Sequence, residues 1–265
     1  MYTEFEIVYS RIFQEIKMNL VWLAVFVFLG TYGLNLFYIS VLYHRGLAHG
    51  AVKLKPWLRK FTVLSGNWVT GIDPKAWVCM HRRHHQFSDT TLDPHSPWND
   101  GVFGLLRAQL DSYSRTLVGV SRKTPAFAEV VSDLDFKVHW LNRLKLWWIP
   151  YLVQAGIALA IGVFFHAWFV GVAYWLGMMS HPFQGWLVNS FAHKYGYQNF
   201  KNGDESRNNT LVALLVMGEG YQNNHHARPS SARFSVRWFE VDGGYVLCKF
   251  AQVLGWLEIP QKTAQ

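Results

Sequence analysis

The sequence feature that most constrains this chain is a run of 25 residues without a charged side chain, from Asn19 to Tyr43. A helix of that length spans about 37 Å at about 1.5 Å per residue, which is enough to cross a lipid bilayer with some tilt. The buried core helix of a soluble protein is the alternative, but such helices are usually shorter. The run therefore predicts a membrane-spanning helix.

Two further apolar segments, Leu146–Phe165 and roughly Ala167–Ser190, predict a second and a third span. Only His166 and its neighbours separate them, so we expect a tight helical hairpin. A hairpin returns the chain to the side of the membrane on which it started. His193 should therefore lie on the same face as the residues that follow the first span.

Other segments predict helices that do not cross the bilayer. Residues 1–18 carry apolar positions at helical spacing among acids and bases, which indicates an interfacial amphipathic helix. Residues 57–72 are apolar but interrupted by charges and glycines, which favours a short, partly embedded helix ended by Asp73-Pro74. The more polar residues 98–145 and 194–265 should form cytoplasmic helices and loops. Residues 1–265 are interpreted as a single domain.

The distribution of basic residues predicts the orientation. The formal net charge is +8. The bases after the first span are Arg45, Lys53, Lys55, Arg59 and Lys60, against Arg11 and Lys17 before it. By the positive-inside rule, the boundary after Tyr43 faces the cytoplasm. Because the bases lie between apolar spans, we expect an anionic membrane surface as the partner and no nucleic acid. We expect the bacterial inner membrane in preference to the endoplasmic reticulum.

Histidines form the second strong pattern, since eight of the 12 fall into four short clusters. These clusters are His44 and His49; His81, His84 and His85; His193; and His225 and His226. Residues at i, i+3 and i+4 share one face of a helix, and imidazole is the commonest protein ligand of transition metals. A solvated basic helix face would explain one triple alone. The four clusters together predict a histidine-ligated metal centre.

The number of candidate ligands bears on the number of ions. Gln222, His225 and His226 repeat the spacing of the central triple. Eight imidazoles and one amide are too many for one ion, so two ions are implied. An imidazole-rich site suits iron, whereas four ligands would already saturate zinc. Acids near the histidines could orient the imidazoles. The candidates are Glu219, Asp204 and Asp89.

The pair His44 and His49 raises a question of geometry. On a regular helix the spacing i, i+5 turns the second side chain about 140° from the first. If both rings reach one ion, the backbone must depart from that helix, which Gly46 would permit. The spacing alone leaves both one shared ion and two separate ions possible.

These motifs resemble those of the membrane fatty acyl desaturases, the stearoyl-CoA desaturase-like family of acyl-CoA and acyl-lipid delta-9 type. The resemblance rests on His44-Arg45-Gly46-Leu47-Ala48-His49, His81-Arg82-Arg83-His84-His85, Asp93-Pro94-His95, Asn189 to His193 and Gly218 to His226. It covers the chain from about residue 30 to about residue 250, in order. It implies an all-α fold, in which an integral membrane helical bundle bears a cytosolic helical cap with a histidine-rich di-iron site.

The resemblance also implies two iron ions, with dioxygen as the co-substrate. By analogy, the first iron would be held by His44, His49, His81, His85 and His225. The second would be held by His84, His193 and His226, with Asn189 reaching it through a water. Gln222 departs from the family pattern, which more often has histidine there. Gln222 would be either a weaker, neutral ligand or a residue that contacts the ligands without binding the ion.

The implied reaction is the oxygen-dependent desaturation of a fatty acyl chain, which removes two hydrogens from adjacent methylenes. The acyl group would be carried by CoA, an acyl carrier protein or a glycerolipid. Residues 76–80 lack the charged pair that precedes the central motif in animal acyl-CoA enzymes. Holding a flexible chain requires an apolar tunnel. The candidate lining residues are Trp68, Trp77, Trp186 and Phe191.

Two alternatives remain at this stage. A hydroxylase or an acetylenase would need the same irons and differ in a few tunnel positions. A non-catalytic membrane metal-binding protein is a second alternative, but a transporter would place ionisable residues inside its spans. The sequence contains no cytochrome-like or iron–sulfur motif, so electrons would come from a separate donor, either ferredoxin or cytochrome b5.

Overall fold

The computed structural model describes the backbone of residues 4–260 and the side chains of residues 18–260. A long first helix, α1 (Glu4–Leu36), continues without a break as a π-helix (Phe37–Ala48). The following elements are β1 (Lys53–Leu54), α2 (Pro56–Thr70), α3 (Pro74–Phe87), α4 (Pro97–Ser121), α5 (Pro125–Ala128), a 3-10 turn (Glu129–Val131) and α6 (Trp140–Arg143). The remaining elements are α7 (Ile149–Phe164), α8 (Trp168–Met178), α9 (His181–Trp186), a second π-helix (Leu187–Phe191), α10 (Ala192–Lys194), α11 (Thr210–Leu215), α12 (Gln222–Ala227), α13 (Gly243–Val253) and β2 (Leu257–Glu258).

The fold is helical, as predicted from the sequence. Within residues 4–260 the strands are limited to β1 and β2, which pair antiparallel as two residues each. The predicted amphipathic helix at residues 1–18 lies largely outside the described side chains, although the backbone is helical from Glu4. In the described part of the chain, one helical stretch, Met18–Ala48, is long and apolar enough to cross a membrane. It agrees with the first span expected from the sequence.

The predicted hairpin is present, but its helices are shorter than the sequence suggested. The first, α7, begins at Ile149 and not at Leu146, and the second, α8, ends at Met178, well before Ser190. Pro182 explains the early end, because a proline ring clashes with the carbonyl four residues before it, here that of Met178. Neither helix reaches the length that crosses a bilayer by itself, so these two predicted spans are not full-length helices.

Close helix contacts join the hairpin to α1. Gly177 of α8 leaves no room for a side chain, since a Cβ there would lie 2.9 Å from the Phe28 carbonyl oxygen. Small residues allow such close backbone approach between apolar helices. Asn35 in α1 donates a hydrogen bond of 2.8 Å to the carbonyl of Met178. The outer faces are apolar, with Phe26 67% and Phe169 75% exposed.

The helix that carries the central histidines is fixed at its start. Asp73 caps α3 by accepting hydrogen bonds from the backbone N–H groups of Lys75 and Ala76, and Pro74 occupies the first turn. The second Asp73 oxygen accepts from the His139 N–H at 2.7 Å and from the Asn142 amide at 3.1 Å. In the buried core, α3 packs against the first π-helix, and α13 also packs against that π-helix.

Candidate metal centre

All eight predicted histidines meet in one region of the fold, in two groups. The five-histidine group consists of His44, His49, His81, His85 and His225. The three-histidine group consists of His84, His193 and His226. The candidate ligand atoms within each group lie within 4.8 Å of one another. The division is the same as the one that the family resemblance implied.

The first π-helix solves the geometric problem posed by His44 and His49. Its hydrogen bonds run from residue i to i+5, so residues five apart come close to the same face. The two ring centroids lie 5.1 Å apart, and the His49 N–H donates to the His44 carbonyl at 3.1 Å. The expected departure from a regular helix is confirmed, but a whole π-helical segment produces it. Gly46 lies against Leu54, and a Cβ at this position would lie 3.0 Å from the nearest Leu54 side-chain atom, a tight contact.

The Nε2 atoms of the five-histidine group converge on one point. The separations are 2.7 Å between His49 and His81, 2.9 Å between His44 and His225, 3.0 Å between His225 and His85, and 3.1 Å between His85 and His81. Nitrogens at about 2.1 Å from one ion in adjacent coordination positions would lie about 3 Å apart. The arrangement therefore fits imidazoles that share a single metal ion.

The protonation of these rings also suits a metal. Burial lowers the pKa of His49 to about 2. Burial, together with the neighbouring imidazoles, lowers the pKa of His81, His85 and His225 well below the ordinary value. A neutral imidazole offers a nitrogen lone pair, which is the form that binds transition metals.

The three-histidine group is held by carboxylates. His84 Nδ1 lies 3.0 Å from both Asp93 oxygens, and His193 Nδ1 lies 2.9 Å from Asp89. His226 Nδ1 lies 2.6 Å from Asp204. The Nε2 atom of each of these three rings is buried and has no hydrogen-bond partner. Since carboxylates commonly fix the outer nitrogen of metal-bound histidines, the free Nε2 atoms are placed to bind a cation.

A third cluster, His84, Asp93 and His95, shares its histidine with the three-histidine group. His95 stacks on the His84 ring, with centroids 4.8 Å apart and planes 20° apart. Burial would raise the pKa of the Asp93 carboxyl, but His84 outweighs it and lowers that pKa to about 2. Asp93 and His95 therefore support the His84 ring on the side that carries Nδ1 and the stacked imidazole.

One carboxylate contacts the five-histidine group. Glu219 Oε2 lies 2.6 Å from His44 Nδ1, and its other oxygen pairs with Arg45. Burial alone would raise the pKa of Glu219, but His44 and Arg45 lower it to about 2. Arg45 is fully buried, pairs at 3.0 Å with Asp242, and lies 3.8 Å above the Phe234 ring. This network ties His44 to the segment that begins α13.

A mainly apolar cavity reaches the histidines from one side. Its apolar lining comes from Leu36, Ile39, Trp77, Met80, Val188 and Val216. His44 and His81 form part of its wall, and Trp77 stacks on His81 with centroids 5.0 Å apart. Of the predicted tunnel residues, Trp77 lines this cavity. Trp186 instead packs against Phe191, and the Trp68 carbonyl accepts a hydrogen bond from Gln154.

Gln222 and Asn189 line the same cavity. The Gln222 amide donates to the Glu219 carbonyl at 2.7 Å, so its nitrogen is committed to the backbone. Gln222 lies four residues before His226 on α12, on the same helix face. Asn189 belongs to the second π-helix, which leads into His193. Both residues are near the candidate site, and their roles as ligands stay predictions.

Sequence reasoning identified three of the four carboxylates behind the histidines, namely Glu219, Asp204 and Asp89. It missed Asp93, although the acidic turn after the central triple and the Asp-Pro-His motif pointed to that segment. It also missed Arg45, whose position inside a histidine motif gives no sign that it is buried. His181, which accepts a hydrogen bond of 3.2 Å from the Trp77 indole, was likewise not singled out.

Comparison with known proteins agrees with this geometry. The sequence profile of the fatty acid desaturase family matches residues 20–242, which is most of the chain. The chain belongs to the fatty acid desaturase family. Among its relatives is an sn-1 stearoyl-lipid 9-desaturase of Anabaena variabilis, 36% identical over 254 residues, covering 93% of this chain and 87% of the relative.

Two plant desaturases are similar at comparable levels. The chloroplastic palmitoyl-monogalactosyldiacylglycerol delta-7 desaturase of Arabidopsis thaliana is 36% identical over 238 residues, or 88% of this chain, and the chain spans 61% of that protein. An acyl-CoA 5-desaturase of Anemone leveillei is 33% identical over 242 residues, covering 88% of this chain and 70% of the relative. This desaturase thus has relatives whose names specify both acyl-lipid and acyl-CoA substrates, which supports an oxidoreductase acting on fatty acyl chains.

Proposed function

We propose that this desaturase holds two iron ions, one in each histidine group, and uses dioxygen to introduce a double bond into a fatty acyl chain. The observation that carries the proposal is the convergence of eight imidazoles into two groups, the larger of which lines an apolar cavity through His44 and His81. The iron ions, when bound, would supply the oxidising chemistry that removes hydrogens from two adjacent methylenes. The residues of the chain would hold the two ions and orient the acyl chain beside them.

The cavity gives the acyl chain its position. Apolar side chains from α1, α3 and the second π-helix exclude water and favour a hydrocarbon. Trp77 fixes one wall, because its indole N–H donates to His181 while its face stacks on His81. A methylene held against this wall would lie beside the five-histidine group. Restricting a flexible chain in this way is the requirement for forming a double bond at one position.

The architecture supports a single membrane-embedded domain covering residues 1–265. The stretch Met18–Ala48 would cross the bilayer, and the α7–α8 hairpin, which packs on α1, would be embedded beside it. The large exposed apolar side chains on these helices would face lipid. The histidine-bearing helices would then form a cap on the cytoplasmic side of a bacterial inner membrane, in agreement with the positive-inside rule.

The partners follow from the chemistry. A separate protein, either ferredoxin or cytochrome b5, would deliver electrons, and the acyl group would arrive on CoA, an acyl carrier protein or a glycerolipid. One relative supports a second candidate reaction. The hex-5-enoyl-acyl-carrier-protein acetylenase of Moorena producens is 30% identical over 239 residues. An acetylenase would act on an existing double bond within the same cavity.

Fatty-acid profiling tests the proposal directly. Cells that express the protein should contain an unsaturated acid that is absent from control cells. Cells that express His84→Ala should lack it, since this substitution removes an imidazole whose Nε2 is one of three facing the second site. A product with a triple bond would identify an acetylenase. Identical profiles with and without the wild-type protein would refute the enzyme reading.

A further inference from the structure

The two histidine groups differ sharply in the charge that surrounds them. In the three-histidine group each imidazole has its own carboxylate, contributed by Asp93, Asp89 and Asp204. In the five-histidine group the described residues place a carboxylate on His44 alone, and Arg45 pairs with that carboxylate. The smaller group therefore has three ligands and three formal negative charges behind them.

The acidic turn is built to hold these charges in place. Asp89 adopts a left-handed backbone conformation with φ of 60°, which is uncommon for residues other than glycine. Its backbone N–H donates to Asp93 at 2.8 Å, and its side chain accepts from Ser96 at 2.8 Å. The Glu205 N–H also donates to Asp89 at 3.1 Å, which brings the loop containing Asp204 alongside.

The three-histidine group has no fourth imidazole, and the carboxylates can strengthen the binding of a cation by the other three. At position 222 the chain has glutamine, an uncharged and weaker ligand, one turn before His226. A carboxylate on Nδ1 draws the ring proton toward itself and raises the basicity of Nε2, which strengthens the bond to a cation. The negative charge also attracts the cation directly, because the three carboxylate side chains are at most 12% exposed and therefore poorly screened.

We propose that Asp89, Asp93 and Asp204 compensate for the missing fourth imidazole, so that three histidines suffice to retain a divalent metal ion at the second position. The inference rests on the proposed function, since it assumes that each group holds one iron. Asp89, Asp93 and Asp204 act as positioning residues: they touch the imidazoles and do not touch the ion. Removing one of their charges should cost the second site its ion while leaving the five-histidine group filled.

The experiment measures iron per chain in purified protein. Protein in detergent is loaded anaerobically with Fe²⁺, dialysed against a weak chelator and analysed for metal. The wild type should retain about two ions per chain. The isosteric variant Asp204→Asn should retain about one, because losing such a partner typically lowers metal affinity about 10–100-fold. Glu205→Gln is the matched control, since its exposed side chain pairs with Arg207, and it should retain both ions.

A rescue variant separates this role from a general loss of structure. Adding Gln222→His to Asp204→Asn supplies a fourth imidazole on the face of α12 that carries His226, and should restore the second ion. Retention of both ions by Asp204→Asn would overturn the proposal, as would loss of both ions without rescue. A wild-type protein that binds no iron at all would instead refute the proposed function itself.

Discussion

The five-histidine and three-histidine groups position the same kind of side chain by different means. The rings of the larger group pack against one another and against the aromatic faces of Trp77 and Phe234, with one carboxylate on His44. The rings of the smaller group are each fixed by a carboxylate. Burial alone does not fix the direction in which an imidazole nitrogen points. The larger group obtains this orientation mainly from packing, and the smaller group obtains it from charged hydrogen bonds. Metal content and stability should therefore respond differently to substitutions in the two groups.

The largest expected effect comes from removing a ring from each group. His81→Ala and His84→Ala should both eliminate the unsaturated product, because the proposed reaction needs both ions. Their metal contents should differ. His84→Ala should lose the ion of the three-histidine group, whereas His81→Ala leaves four imidazoles in the larger group and should keep more iron. Metal analysis beside lipid profiling checks this. Equal iron content in the two variants would mean that the four imidazoles left by His81→Ala retain an ion no better than the two left by His84→Ala.

The next effect concerns Arg45, which belongs to the charge network behind His44. Arg45→Met should lower the free energy of unfolding by about 3–5 kcal/mol, since it leaves Glu219 and Asp242 buried without their cation. Thermal and chemical unfolding in detergent would measure the loss. A change below about 1 kcal/mol would show that water or rearrangement replaces the arginine, and that packing alone holds the larger group.

A smaller effect is expected where the stacking on His81 is kept but one hydrogen bond and part of a buried ring are lost. Trp77→Phe retains an aromatic face against His81 but removes the indole N–H that reaches His181 at 3.2 Å. The expected cost is about 1–3 kcal/mol of unfolding free energy, from the lost hydrogen bond and the space left by the smaller ring. The iron content should stay that of the wild type. Loss of iron from Trp77→Phe would indicate that the hydrogen bond, more than the stacking, positions His81.

The smallest effect serves as the control for Arg45. Arg59 pairs with Asp135 at the protein surface, with the two side chains 35% and 75% exposed. Arg59→Met should change the unfolding free energy by about 0–1 kcal/mol, because water solvates both charges once the pair is broken. The same unfolding assay applies. If Arg59→Met destabilised the protein as much as Arg45→Met, burial would not explain the difference between the pairs.

The sequence by itself determined the helical class, the first long apolar helix, the hairpin and the identity of the eight histidines. These features depend on local patterns: a run without charge, a spacing of three and four residues, and a short turn between apolar segments. It also pointed to Glu219, Asp204 and Asp89 as acids that orient imidazoles. Local chemistry was sufficient because each of these residues lies within or near a histidine motif.

Tertiary structure decided the features that depend on contacts between distant segments. The π-helix that aligns His44 with His49 has no plain sequence signal. The burial of Arg45 depends on Asp242, 197 residues away in the sequence. A charged side chain such as that of Arg45 becomes part of the site only when folding removes it from water and places it beside an opposite charge. The sequence pattern does not show how close the two charged groups will lie in the folded chain.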